Sequence, residues 1–227
     1  MSEQSFLTLM LDAPMMSWGV SSRFQRRTTE LHPSRSAISG MICAAMGLDK
    51  GSDQELRFLQ RMEALLFSFY AIPRVDPVRE GGLPIRRLED FHTVSGTRSA
   101  DNPRPKKDAV LSHRQYLVDA RFATVLTGEG AMLAEIAAAL ADPVWGIWLG
   151  RKSCIPAQPI APYAVRNTLA EALADAGLDK ESVIRLNSVR DAADFSGGTD
   201  TVMDVPVNFF TREFKPRRIV RVPAERE

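Results

Sequence analysis

The chain has 227 residues, 44% hydrophobic and 25% charged, with a formal net charge of +1. That is the mix of a globular chain with one large domain or two small ones, and it excludes collagen-like and wholly disordered readings. The longest apolar runs, such as Ala64 to Ile72, fall far below the ~18 residues a membrane span needs. No signal-peptide pattern is visible at the start. Cys43 and Cys154 are the only cysteines, and they read as reduced thiols of a cytoplasmic protein.

Phe6 to Leu11 is a short apolar run broken by Asp12-Ala13-Pro14, the pattern of a buried strand. The next twenty residues lack periodicity and read as an ordered loop. A helix starts at Ser34 or Ser36, just after Pro33, with Ile38, Ile42, Ala45 and Met46 near one face and Gly47 at its end. Asp53 to Glu63 is a second helix, and Ala64 to Ile72 a strand closed by Pro73. After the Gly81-Gly82 turn, Leu83 to Leu88 predicts a strand that continues to Val94. Ser99 to Asp108 is a polar insertion with no apolar face to bury, so it is expected to project. Tyr116 to Leu126 predicts a strand, Glu129 to Leu140 a helix stopped by Pro143, and Val144 to Leu149 another strand. Beyond Gly150, three prolines interrupt a loop, Leu169 to Ala176 is a short helix, and Ser182 to Val222 alternates weakly as strands.

The order strand, helix, strand, strand, helix, strand predicts an α+β fold with a ferredoxin-like core of the kind used by RNA-recognition domains. The expected organisation is a core over residues 1–150, with a β-hairpin arm at about Asp90 to Arg114, and a smaller β-rich part over 151–227.

Basic residues concentrate in Arg23 to Arg35, Arg98 to Arg121 and Arg212 to Arg226. Such stretches are either solvated loops or local phosphate-binding surfaces on a neutral protein. Ser34, Arg35 and Ser36 open a helix, where free amides and the positive dipole end suit an anion; the plain alternative is an N-cap. Trp18, beside Gly19, either stacks on a base or pins the loop to the core. Gly150-Arg151-Lys152-Ser153 follows a predicted strand and offers two cations beside a glycine, with a polar turn as the alternative.

His32, His92 and His113 are scattered, and no zinc spacing, nucleophile elbow, phosphate loop or dinucleotide motif occurs. No metal and no cofactor are expected. A metal-independent ribonuclease needs a base, an acid and a cation. His113, Tyr116 and Lys106 or Lys107 could supply them if the insertion folded back; an ordinary strand entry with solvated lysines is the alternative.

Several segments together resemble a known family. Leu11-Asp12-Ala13-Pro14-Met15-Met16-Ser17-Trp18-Gly19 and Pro33-Ser34-Arg35-Ser36 through Gly40 are similar to the amino-terminal signature of the CasD family of type I-E CRISPR Cascade subunits. Asp90-Phe91-His92-Thr93-Val94 with Gly96, Arg114 to Ala120, and Leu149 to Cys154 are similar to its later segments, in order over about residues 5 to 160. The resemblance implies a RAMP protein with an RNA-recognition-like core and a thumb-like arm. It implies a non-catalytic, crRNA-binding subunit that caps the 5′ handle of the guide, touches the Cascade backbone and large subunits, and meets target DNA only through the complex. A relative in type I-C systems cuts precursor RNA, so a guide-processing ribonuclease is one alternative; a purely protein-bridging subunit is another. Guided by the motif positions, Arg98, Arg104, Lys106 and Lys107 are expected on the arm, and Arg26, Arg27, Arg35, Arg151 and Lys152 at the handle, with Trp18, Ser34 and Ser36 as further RNA-binding candidates. Phe209 and Phe210 are expected to be exposed, as for a chain with partners.

Overall fold

A computed structural model describes residues 4–20, 25–78, 82–98 and 109–225 of the chain. The first strand, β1 (Gln4–Asp12), is apolar without alternation because both of its faces are covered. Leu7, Leu9 and Leu11 enter the larger core with Ile38, Ile42, Leu133 and Ile136. Met10, on the other face, meets Tyr70, Val125 and Ala172. Two short strands, β2 (Met15–Met16) and β3 (Arg26–Arg27), precede helices α1 (Arg35–Ala45) and α2 (Asp53–Met62). Ser34 caps α1 by accepting from the Ala37 amide, and Ser52 caps α2 by accepting from that of Glu55.

Strand β4 (Leu66–Ala71) is followed by a hairpin of β5 (Arg86–Val94) and β6 (Val110–Val118), then β7 (Arg121–Glu129) and α3 (Gly130–Ala141). The chain ends with α4 (Leu169–Asp175), α5 (Lys180–Ile184), β8 (Ser188–Asp191), β9 (Asp200–Asn208) and β10 (Glu213–Val222). Six strands form one antiparallel sheet in the order β1-β7-β4-β8-β10-β9. The hairpin forms a second sheet. β5 pairs along the whole of β6, while β2 and β3 take the opposite edge of β6, β3 in parallel. At ~3.4 Å per residue, nine-residue strands make an arm about 30 Å long.

The protein is thus mixed α/β with antiparallel sheets, and it departs from the sequence reading in five places. Tyr116 to Leu126 is two strands, because Asp119 (φ 51°) turns the chain from the hairpin into the main sheet. The hairpin runs from Arg86 to Val118, beyond the expected Asp90 and Arg114; the insertion Ser99 to Asp108 lies outside the described residues. Val144 to Leu149 is no strand: the amides of Val144 and Trp145 donate to the carbonyls of Ala45 and Ala44 at the end of α1. The place beside β1 goes instead to the segment after Pro156, through Ala157 N to Asp12 O, Met10 N to Ile160 O, and a reciprocal Phe6–Arg166 pair. Prolines 156, 159 and 162 lack the amides a full ladder requires. The order β1-β7-β4 is therefore that of the first three strands expected for a ferredoxin-like core, without its fourth. Finally, Ser182 lies in a helix, and β8 pairs with β4, so the strands after residue 150 continue the main sheet. No helix among the described residues is long and apolar enough to cross a membrane.

Candidate nucleic-acid interface

Three of the expected RNA-facing residues lie in the interior. Trp18 is 1% exposed and sits in the main core, so it pins its loop and offers no stacking face. Ser34 is fully buried as the α1 cap. Arg35 is 5% exposed. Its Nη1 donates to Asp191 at 3.0 Å, and its Nη2 to the carbonyls of Met62 (2.7 Å) and Glu63 (3.2 Å) at the end of α2. The anion at the start of α1 is the protein's own: the Arg35 amide donates to the Asp204 carboxylate at 2.8 Å. Arg217 completes the cluster, donating to Asp204 at 2.6 and 2.9 Å and pairing with Asp191. The helix start thus takes the N-cap alternative, and its anion is the Asp204 carboxylate of β9. Ser36 is half-buried, its hydroxyl 3.2 Å from that of Ser34.

The surface cations gather beside the middle of β6. In the parallel pairing of β3 with β6, Arg26 aligns with His113 and Arg27 with Arg114, so alternation puts Arg27 and Arg114 on one face with Tyr116. The Arg151 guanidinium stacks over the Tyr116 ring at 4.5 Å from its centre, and its Nη2 donates to the Arg27 carbonyl at 2.9 Å. Gly150 makes this placement possible. Its φ of +101° is left-handed, and a Cβ there would lie 1.8 Å from the Ser17 carbonyl oxygen, so only glycine lets the loop close on the Trp18 segment. Arg27, Arg114 and Arg151 therefore converge, and the side chains of Arg27 and Arg114 have no carboxylate partner among the described residues. Asp90 stands opposite Arg114 in the register but bonds to His92 at 2.5 Å. Lys152 Nζ lies 5.8 Å from the Trp148 ring centre.

On the other face of the hairpin, Gln115 and His113 donate to Glu89 at 3.3 and 3.0 Å, and these bonds hold its carboxyl below the usual range. Phe91 stacks near His113, with centroids 4.9 Å apart. Arg98 is exposed past the end of β5; Arg104, Lys106 and Lys107 lie outside the described residues. His113 and Tyr116, an odd and an even position of β6, point to opposite faces, so they do not meet at one phosphate. Burial pushes the Cys43 thiol up to about 12 and that of Cys154 upward as well. Phe209 is half-buried, its ring against Gly40, whereas Phe210 is 74% exposed.

Sequence reasoning did not select Arg114 for the cationic face, because the strand was expected to begin at Tyr116; its spacing of two from that residue would have placed the pair on one face. It also passed over Trp145 and Trp148, because the segment carrying them was expected to be a buried strand.

The fold and this face together define a class of protein: an α/β platform with a projecting hairpin and a cationic face beside it. A family model described as CRISPR-associated protein (Cas_Cas5) matches residues 6–223. The chain belongs to that family. It is 29% identical over 160 residues to the CRISPR system Cascade subunit CasD of Escherichia coli (strain K12), covering 69% of this chain and 70% of that protein. It superposes on a chain of a CRISPR RNA-guided surveillance complex with a TM-score of 0.71 and 29% identity, over 97% of this chain and 90% of the other. A crystal structure of a Cas protein shares the fold, with a TM-score of 0.63 and 24% identity over 96% and 95% of the two chains.

Proposed function

We propose that this chain is a non-catalytic crRNA-binding subunit of a type I-E Cascade surveillance complex, capping the 5′ handle of the guide and contacting the backbone and large subunits. The observation that carries the reading is the convergence of Arg27, Arg114 and Arg151 beside the hairpin, two of them without carboxylate partners among the described residues. Guanidiniums held this way bind phosphate oxygens by charge-assisted hydrogen bonds; the Asp90–His92 pair shares their face, and a turnover measurement decides whether it does chemistry. The similarity to CasD and to a chain of an RNA-guided complex supports the same reading. Of the residues expected at the handle, Arg26, Arg27, Arg151 and Lys152 remain at the surface; Arg98 extends the basic surface along the arm.

The test is assembly with a guide RNA, comparing wild type with the Arg27→Ala/Arg114→Ala/Arg151→Ala variant across a salt series. Losing three phosphate contacts should lower the log–log salt slope by about 2, at ~0.7 per single-stranded phosphate. Equal retention at every salt concentration overturns the assignment of this face. Incubation of the chain with repeat RNA in EDTA tests the rest: a discrete cut ending in a cyclic phosphate would make it an enzyme.

A further inference from the structure

The two sheets end on different kinds of edge. The main sheet ends at β9, whose edge is blunted three ways: Pro206 lacks an amide, the register with β10 shifts twice, and Asp204 points inward to Arg217. The hairpin sheet ends at β5, which carries none of these devices. It holds no proline or glycine, its nine pairs with β6 run without a shift, and among the described residues it pairs with β6 alone. Its two arginines are turned away, Arg86 to Asp119 at 2.8 Å and Arg87 to the Thr29 carbonyl at 3.3 Å. Leu88, Phe91 and Val94 are 44%, 55% and 45% exposed. A regular edge with apolar side chains and outward backbone groups is a template for one more strand.

The order of residues along β5 indicates which strand. Two antiparallel copies related by a two-fold axis through the sheet at Phe91 bring residues of the same face opposite each other. On one face Phe91 meets the second copy's Phe91, with Glu89 opposite Thr93 to either side. On the other face Leu88 meets Val94, and Asp90 meets His92. Every pair is aromatic, aliphatic or a carboxylate with a hydrogen-bond donor, the combinations that stabilise adjacent strands. The neighbouring two-fold registers are poorer: centring on Asp90 opposes two carboxylates, and centring on His92 sets Asp90 against Val94. We propose that the free chain pairs with a second copy of itself through the outer edge of β5, antiparallel and centred on Phe91, so that two hairpins join in one continuous sheet. The contact from Leu88 to Val94 is about 24 Å long, a small interface, so the dimer is reversible. β3 lies on the opposite edge of β6, so the arginine face stays open and the pairing does not depend on how that face is used.

The experiment uses the full chain without RNA, in sedimentation equilibrium from about 10 μM to about 1 mM. The apparent mass should rise from one chain toward two; a single-chain mass throughout overturns the proposal. Phe91→Lys sets two ammonium groups opposite each other and should weaken association about tenfold. An unchanged mass curve in that variant places the contact on another surface and overturns the assignment to β5. His92→Asp opposes carboxylates, and Asp90→His opposes imidazoles, so each variant alone should associate more weakly than wild type. Mixed together they should associate more tightly than either alone, because carboxylates of one copy then face imidazoles of the other. No gain on mixing overturns the register. Phe91→Cys should form an interchain disulfide under mild oxidation, whereas Leu88→Cys, about 20 Å from its counterpart, should not. Cys43 and Cys154 are buried and stay out of the reaction. Equal cross-linking at the two positions marks chance collision and also overturns the register. The substituted side chains are exposed or half-buried, and the melting temperature of each variant checks that it folds.

Discussion

Replacing Arg35 with alanine separates a structural from an RNA-binding role for the helix start. The side chain holds Asp191, closes two carbonyls at the end of α2, and lies 4.6 Å from the Phe67 ring centre. Removing it leaves Asp191 with Arg217 and the Phe67 amide, so that carboxylate stays partly compensated. Breaking a buried pair costs about 3–5 kcal/mol, and this residual pairing places Arg35→Ala near 3 kcal/mol. Arg217→Ala is the harsher change. It strips both side-chain donors from Asp204, whose side chain is 1% exposed, and leaves it only the Arg35 amide. That variant belongs near 5 kcal/mol, about 2 kcal/mol beyond Arg35→Ala. At roughly 2–4 °C per kcal/mol for a chain of this size, thermal melts should fall by about 6–12 °C and about 10–20 °C respectively. Arg35→Lys should fall between wild type and alanine, because an ammonium cannot serve an aspartate and two carbonyls with a planar fork. An Arg35→Ala protein that melts like wild type but loses guide RNA would refute the reasoning and return Arg35 to the surface.

Two further outcomes test the packing around the interface. Gly150→Ala should destabilise by about 1–3 kcal/mol for the left-handed backbone alone, and more because its methyl meets the Ser17 carbonyl; Gly177→Ala, also at positive φ but with open space around it, is the control. Both are read by thermal melting, and equal losses would show that the Gly150 contact has no effect. His32 is buried, which lowers its pKa, and its Nδ1 lies 3.0 Å from the Pro33 carbonyl. The unfolded imidazole takes its proton first as pH falls below about 6.5, so stability is full above that value and declines below it. Melts of wild type and His32→Gln across this range should diverge, with the variant showing the flatter acid limb; parallel curves would exclude His32 as a source of the acid sensitivity.

Much of the fold is legible in local sequence. β1, α1, α2, β4, α3 and α4 sit where periodicity, caps and breakers put them, because each is specified by its own residues: Ser34 and Ser52 as caps, Pro73 and Pro143 as stops. What escapes is decided by distant partners. Val144 to Leu149 has strand composition, but the end of α1 takes its amides. Tyr116 to Leu126 reads as one strand because apolar residues stand on both sides of the junction and the turn at Asp119 carries no glycine to mark it. The interface divides the same way. Arg27 and Arg151 can be selected as cations near glycine or in a loop, but whether an arginine is free depends on carboxylates far along the chain. Arg35 looks like Arg27 in sequence and differs only because Asp191 and Asp204 return to it from more than 150 residues away.

That difference also explains how a chain of net charge +1 can present a phosphate-binding face. Arg35, Arg217, Arg74 and Arg166 are matched to Asp191, Asp204, Asp12 and Asp175, so those charges cancel locally and contribute little field outside. Glu171 and Asp179 serve as partners within the capping boxes at the amino-terminal ends of α4 and α5, away from the hairpin in sequence. Among the described residues no carboxylate forms an ion pair with Arg27 or Arg114, Asp90 across from Arg114 being taken by His92, and Arg151 turns to a tyrosine ring and a carbonyl, neither of which neutralises it. Three guanidiniums on one face, Arg27 and Arg114 in strand register and Arg151 from the neighbouring loop, create a local potential that the whole-chain sum conceals, and counterion release depends on that local density. Salt dependence of guide retention is therefore the measurement that reports the arrangement of charge, and it should be steep for this chain even though its net charge is close to zero.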